Sequence, residues 1–356
     1  MDGPLRVALA GAGRIAASHL KAIAEHPDQL MLAGICDIDI DAAAGAAASA
    51  GGVPFFADLG QLLAEVECDA VVVCSSSDAH AAHVLAATVA SRHVLVEKPM
   101  ATSLSQCRAM VQAADDAGVI LMVGQNHRFM PNYRAVRNAL AAGELGTVRA
   151  IRLDAMGNCN APPGHWALDG RRAGGGVVIS LAIHRIDLAR YFLGEIRRVT
   201  ARCQTTDPRF INGAEDYAWA TLEFESGAVG DLFACWSAPA LPWGESFTIL
   251  GDQGTIHAIP SMVSYHSPCL VRSQRRTGLQ PLPKGTPNRG FVPMELATDE
   301  LPASTSIANE LLHFAQCCRQ RRQPLTSGRD NLGTLRAVFG IYESARRGAP
   351  VELAEL

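Results

Sequence analysis

The most restrictive feature of the chain is its opening. Arg6-Val-Ala-Leu-Ala10 is an apolar strand that runs at once into Gly11-Ala12-Gly13-Arg14-Ile15-Ala16. An alanine-rich helical pattern then continues to about His26. Strand, glycine turn and helix in that order form the dinucleotide-binding arrangement. Gly11 permits the tight turn, and Gly13 lets a pyrophosphate approach the backbone. Ala16 is small enough for close helix–strand packing. The free N–H groups at the helix start then suit phosphate, which makes Gly11 to Ile15 the candidate phosphate contacts.

The following residues keep the alternation. A strand from Met31 to Cys36 ends in Asp37. An acid there accepts hydrogen bonds from the adenosine ribose hydroxyls and repels a 2′-phosphate, and no Arg stands beside it. NAD is therefore expected over NADP. The competing reading of Asp37 is a turn residue, since Asp39 and Asp41 follow. Ala42 to Ala50 is a small-residue helix, Val53 to Phe56 a short strand, and Asp58 caps a helix from Leu59 to Val66. Asp69 to Cys74 is a buried strand that ends in Ser75-Ser76-Ser77, which either lines the cofactor or simply turns the chain. Asp78 is expected to start a helix carrying His80 and His83. One turn apart, these two raise the question of a metal, but no third ligand is near and capping or packing is the reading. Ser103 with Gln106 makes a capping box for a helix to Ala117, which Gly118 stops, and Ile120 to Val123 is a sixth strand.

Between those helices lies Val94-Leu-Val-Glu97-Lys98-Pro99. It reads as a buried parallel strand ending abruptly in an acid, a base and a proline. Ligands in open α/β sheets bind just past the carboxyl ends of strands, so Lys98 stands at the mouth of a cleft or is an ordinary surface lysine. The expected fold of residues 1–124 is a doubly wound parallel sheet, a Rossmann domain.

After Gly124 the texture changes. A helix over about Asn132 to Ala142 leads to a strand from Thr147 to Met156. Residues 157–176 are irregular and rich in Gly and Pro, with His165, Trp166, Arg171 and Arg172, the composition of a binding loop. A helix to Phe192 follows. Strands come next: Arg197–Thr206, Tyr217–Phe224, Val229–Trp236, Glu245–Leu250, Thr255–Ile259 and Val263–Val271. Residues 278–304 are Pro-rich and expected to form an excursion or a lid-like loop. Helices over about Thr305 to Arg321 and Asn331 to Arg347 close the chain. Residues 125–356 are thus expected to form a mostly antiparallel sheet with helices on one face, a substrate-binding and oligomerisation domain. Tyr217-Ala-Trp-Ala-Thr-Leu222 and Leu232-Phe-Ala-Cys-Trp236 carry apolar residues on both faces, so the open face is expected to pair with another copy in a homodimer or homotetramer.

Composition excludes several classes. With 356 residues and a net charge of −4, the chain has no basic surface for nucleic acid; Arg272, Arg275 and Arg276 lie in a Pro/Gly-rich loop. No apolar run reaches membrane-spanning length, and Leu5 to Ala10 reads as a core strand rather than a signal peptide. Ten cysteines without C-x-x-C spacing fit reduced thiols in a cytoplasm better than zinc or disulfides.

Gly11-Ala-Gly13-Arg-Ile-Ala16, Glu97-Lys98-Pro99 and Gly174-Gly-Gly176…His184-Arg-Ile-Asp187 together resemble the glucose–fructose oxidoreductase / inositol dehydrogenase / rhizopine-catabolism (Gfo/Idh/MocA) family. The likeness spans essentially the whole chain, including Asn309-Glu-Leu and Ile341-Tyr-Glu-Ser-Ala345. It implies an NAD(P)-dependent oxidoreductase acting on a sugar, cyclitol or related compound, often with a cis Lys-Pro peptide. Ser75, Ser76, His80, Glu97, Lys98 and Gln125 would join the glycine loop and Asp37 around the cofactor. Asn126, His127, Trp166, Arg171, Ser180 and His184 would face the substrate. Lys98 would bind the reacting hydroxyl and His184 would be the general base, its imidazole suited to proton transfer near neutral pH and Asp187 placed to orient it. The chain departs from the family pattern at Ser180, where an Asp is usual four residues before the histidine, and at Ala182, usually Gly. Serine cannot supply charge at neutral pH. Two further activities fit the same motifs: glycoside cleavage through transient oxidation by a retained NAD, and non-catalytic sensing of a sugar and NAD.

Overall fold

The structure, a computed structural model, describes residues 3–238, 244–259, 269–274, 292–295, 297 and 301–356. The chain divides into two compact units. The first takes in residues 1–129, 171–174 and 302–332, and the second residues 130–170, 175–301 and 333–356. The first unit thus takes in later segments of the chain besides the residues 1–124 expected for it. The physical reason is α9 (Ser306–Gln320), whose Leu311, Phe314, Ala315 and Cys318 complete the core of the first unit.

That unit is a parallel sheet in the order β3-β2-β1-β4-β5-β6. Its strands are β1 (Leu5–Ala10), β2 (Leu30–Cys36), β3 (Phe55–Phe56), β4 (Ala70–Val73), β5 (His93–Glu97) and β6 (Leu121–Gly124). Helices α1 (Arg14–Glu25), α2 (Ile40–Ser49), α3 (Leu59–Glu65), α4 (His80–Val89) and α5 (Leu104–Ala117) connect them. Every residue of β4 and β5 is buried, as expected for strands covered on both faces. Local chemistry sets the helix ends. Asp58 and Ser103 accept from Gln61 N and Gln106 N at the starts of α3 and α5, and Gly118 closes α5 at φ +64°. Asp78 does not cap α4: Arg172 donates to it at 2.9 Å, and Ser76 Oγ donates to its other oxygen. A charged guanidinium outcompetes weak backbone N–H groups for a carboxylate.

In the second unit, α6 (Pro131–Ala141) precedes β7 (Val148–Met156), and the short α7 (Gly170–Ala173) starts at this unit's edge. A π-helical turn, Val178–Ala182, leads into α8 (Ile183–Leu193). The strands are β8 (Ile196–Gln204), β9 (Tyr217–Phe224), β10 (Val229–Cys235), β11 (Gly244–Gly251), β12 (Gly254–Ile259), β13 (Cys269–Gln274), β14 (Val292–Pro293) and β15 (Val351–Glu352). Among the described residues the sheet runs β14-β13-β12-β11-β7-β10-β9-β8-β15, antiparallel except for β7 with β10. Most of the strand expected from Val263, Arg275, Arg276 and most of residues 278–304 lie outside the described residues. α10 (Gly328–Arg347) supplies Ser344, whose Oγ accepts from Ala201 N on β8 at 2.9 Å. Side chains alternate along β9. Ala218, Ala220, Leu222 and Phe224 are buried, while Trp219 on the opposite face is 43% exposed and stacks on Tyr217 at 5.9 Å.

Candidate active site

In the first unit the expected cofactor residues gather at one edge of the sheet. The glycine loop follows β1, Asp37 follows β2, Ser75 and Ser76 follow β4, Lys98 follows β5, and Gln125, Asn126 and His127 follow β6. The carboxyl edge of a parallel sheet is where such folds bind ligands. Gly11 has φ +104°, and a Cβ there would lie 2.6 Å from Ser75 N, so only glycine lets the loops after β1 and β4 meet. Nothing lies within 4 Å of a Cβ built on Gly13, and no side chain caps α1. Asp37 accepts from Ala12 N at 2.6 Å and from Asp39 N at 2.9 Å, which leaves a lone pair on each oxygen for ribose hydroxyls. These are the open backbone, uncapped helix start and acceptor that a dinucleotide needs, so the residues present fit NAD.

Lys98 is half-buried, and its peptide to Pro99 is cis. Its backbone N–H donates to Glu97 Oε2 at 3.2 Å, while Glu97 Oε1 meets His19 Nε2 at 2.8 Å. A Cβ on Gly124 would come within 3.2 Å of that carboxyl, so the glycine makes room for it. Burial pushes the Glu97 carboxyl up. The hydrogen bond from His19 and the charges of His19 and Lys98 outweigh it, and its pKa lies below the ordinary value. His80 is 1% exposed, with Nδ1 2.8 Å from Pro99 O and Nε2 3.0 Å from Ser75 O. It thereby ties the Lys98–Pro99 turn to the serine loop, and burial lowers its pKa against those two hydrogen bonds. His83 Nδ1 lies 3.0 Å from Ser75 Oγ, so both histidines pack and brace. Among the described residues no group of three or more His, Cys, Asp or Glu side chains can hold a metal. Gln125 and His127 are buried, and Asn126 donates to Ser306 Oγ at 3.1 Å. Arg171 belongs to this unit and is exposed.

Trp166, Ser180 and His184 belong to the second unit. Ser180 lies in the π turn and His184 one turn later, 9% exposed. Asp187 accepts from Thr334 Oγ1 at 2.8 Å, and Thr334 accepts from Arg190 at 2.9 Å. Trp166 is half-buried beside His165, their rings 5.6 Å apart.

Sequence reading missed three residues. His19 shares a buried stripe with Ala16, Ala22 and Ile23, and a polar residue on such a stripe is itself a signal. Ile38, next to Asp37, is 94% exposed. Glu215, 4% exposed, accepts from Gly176 N and Val178 N, both at 2.8 Å.

Residues 5–125 match the family described as "Oxidoreductase family, NAD-binding Rossmann fold", and residues 133–257 match the "GFO/IDH/MocA C-terminal domain". D-apiose dehydrogenase from Paraburkholderia graminis is 30% identical over 98% of this chain and 90% of its own length. Myo-inositol 2-dehydrogenase from Thermotoga maritima is 30% identical over 71% of this chain and 75% of its own. Among solved structures, an oxidoreductase from Agrobacterium radiobacter in complex with NAD+, L-tartaric acid and magnesium superposes with a TM-score of 0.83. It is 26% identical, with 99% of both chains covered. The chain thus belongs to the GFO/IDH/MocA oxidoreductase family, whose N-terminal domain is an NAD-binding Rossmann fold.

Proposed function

We propose that the chain interconverts a secondary alcohol and a ketone on a sugar, cyclitol or sugar derivative, with Lys98 and His184 acting on the reacting hydroxyl. The observation that carries this reading is Lys98 itself. It stands one residue past β5, on the sheet edge that holds the dinucleotide loops, and is fixed from below by an ionised, buried Glu97. Relatives named as sugar and inositol dehydrogenases support the substrate class.

Bound NAD supplies the hydride acceptor. Gly11 to Ile15 hold its phosphates, Asp37 its adenosine ribose, and the exposed Ile38 offers apolar contact there. Ser75, Ser76, Glu97 and Gln125 frame the nicotinamide end, while His80 braces two of those loops. The Lys98 ammonium holds the hydroxyl oxygen and favours its developing negative charge. His184 takes the hydroxyl proton in oxidation and returns it in reduction. Asn126, His127, Trp166, Arg171 and Ser180 contact the substrate's other groups.

The test is a screen of sugars and cyclitols with NAD, followed by absorbance of the reduced cofactor. His184→Ala should lower turnover about a hundredfold to ten-thousandfold with NAD binding nearly intact. Full turnover in that variant sinks the assignment. NAD(H) should bind more tightly than NADP(H), because the Asp37 carboxylate would repel a 2′-phosphate, and Asp37→Ala should narrow the gap. Equal affinities by titration calorimetry in the parent enzyme would refute this.

The assembly reading follows from the second sheet. Trp219, Val229 and Leu250 are 43–45% exposed, and Phe233 joins Trp219 and Tyr217 in one aromatic cluster. An apolar patch of this kind fits a sheet-to-sheet dimer or tetramer, which light scattering checks. Nine cysteines are free among the described residues, which fits a reducing, cytoplasmic setting.

A further inference from the structure

We propose that Glu215 is a positioning residue for His184: with Tyr342 it terminates the helical run that carries the histidine and fixes where that run begins. The proposal rests on the reading of His184 as the base.

The start of a helix leaves four N–H groups without intrahelical acceptors. Here four successive groups are accounted for by two residues. Gly176 N donates to Glu215 Oε2 at 2.8 Å, Val177 N to the Glu215 carbonyl at 2.7 Å, and Val178 N to Glu215 Oε1 at 2.8 Å. Ile179 N donates to the Tyr342 hydroxyl at 3.1 Å, and that hydroxyl donates to Glu215 Oε1 at 3.1 Å. Ser180 N then makes its bond to Gly176 O at 3.1 Å. Glu215 alone takes three of the four.

The approach this requires explains two glycines. A Cβ on Gly176 would lie 1.9 Å from the Glu215 carbonyl oxygen, and one on Gly175, at φ +148°, 2.1 Å from the Tyr342 hydroxyl. Gly175 and Gly176 are therefore a seat for Glu215 and Tyr342. The run continues directly into the π turn of Val178–Ala182, which holds Ser180 and ends two residues before His184. A π turn changes the phase of every residue after it, and such turns recur at functional sites. The direction in which His184 faces is set by where the run starts, and Glu215 sets the start.

All three groups on the carboxyl oxygens are donors, so the ionised form fits the geometry. Tyr342 of α10 and Cys203 of β8 are the titratable side chains that face it.

The test uses the full-length enzyme with NAD and a substrate from the screen. Glu215→Gln keeps the size and one acceptor oxygen; Tyr342→Phe removes only the hydroxyl and serves if the first variant fails to fold. Either change should lower kcat about ten- to a hundredfold, with KM within about threefold and NAD affinity unchanged. In protein carrying 13C-labelled histidine, the His184 resonance, assigned by its loss in His184→Asn, should shift together with its titration midpoint. Both effects are required. An unchanged His184 resonance, or an unchanged kcat alongside an inactive His184→Asn enzyme, overturns the proposal. If His184→Asn keeps its turnover, the base assignment has failed instead, and the resonance alone then decides whether Glu215 positions that residue.

Discussion

Two buried glutamates, one next to Lys98 in the chain and one at the start of the helical run that carries His184, behave in opposite ways. Glu97, next to Lys98, is 8% exposed, and Glu215, at the root of the His184 helix, is 4% exposed. Burial pushes both carboxyls up. Glu97 meets His19 and lies beside the Lys98 ammonium, and its pKa falls below the ordinary range. Glu215 receives only neutral donors, two backbone N–H groups and a hydroxyl, and burial carries it up to about 7. Neutral hydrogen bonds orient a buried carboxylate but do not repay its desolvation; a cationic neighbour does. Glu97 therefore stays ionised to below the ordinary carboxylate range, whereas Glu215 titrates at about 7.

Removing the buried Glu97 carboxylate, which faces His19 and the Lys98 ammonium, should have the largest effect. Glu97→Gln leaves His19 buried against a neutral amide and should cost about 3–5 kcal/mol by urea unfolding near neutral pH. Because the folded pKa of Glu97 is depressed, its contribution is present above about pH 4.5 and is lost as pH falls through the folded value. The deficit of the variant should therefore shrink in acid. A loss under about 1 kcal/mol at neutral pH would mean that the Glu97 carboxylate is not ionised.

Glu215 should show the reverse slope. Its folded pKa is raised, so its contribution is complete below about pH 4.5 and is lost as pH rises through about 7. The change is on the order of 3 kcal/mol from about pH 4 to about pH 8. Comparing the parent chain with Glu215→Gln over that range isolates the slope. If the difference between them is independent of pH, burial does not dominate at Glu215. The smallest effect sharpens the contrast: Tyr342→Phe removes one neutral donor, which should move the midpoint above about 7 and cost about 1 kcal/mol. A midpoint that moves downward would contradict the role given to the hydroxyl.

The same contrast shows what the sequence made legible. Elements of the first unit follow from local patterns, such as the apolar run of Val94 to Val96 and the caps at Asp58 and Ser103, and they lie within a few residues of their expected bounds. In the second unit, β9 has the expected bounds, because alternation along a half-buried strand is a local signal. Lys98 and Asp37 were readable because strand ends mark them. Their supports were not. His19 lies 78 positions from Glu97, and Glu215 lies 39 from Gly176. Asp78 was read as the start of a helix that begins at His80, and its partner, Arg172, is 94 positions away. Pairings across such separations are fixed by tertiary packing, on which local periodicity is silent.

The three-segment make-up of the first unit has a consequence for how the protein is born. Its strands leave the ribosome well before Leu311, Phe314, Ala315 and Cys318 of α9, which pack on the same core. At about 5–20 residues per second, the roughly 190 residues separating Phe129 from Cys318 correspond to a delay of about 10–40 s. For that interval the nascent parallel sheet waits with one wall missing and apolar surface open to other chains. Arrested nascent chains should resist protease over residues 5–124 only after α9 has emerged; earlier protection would show that the sheet closes without it.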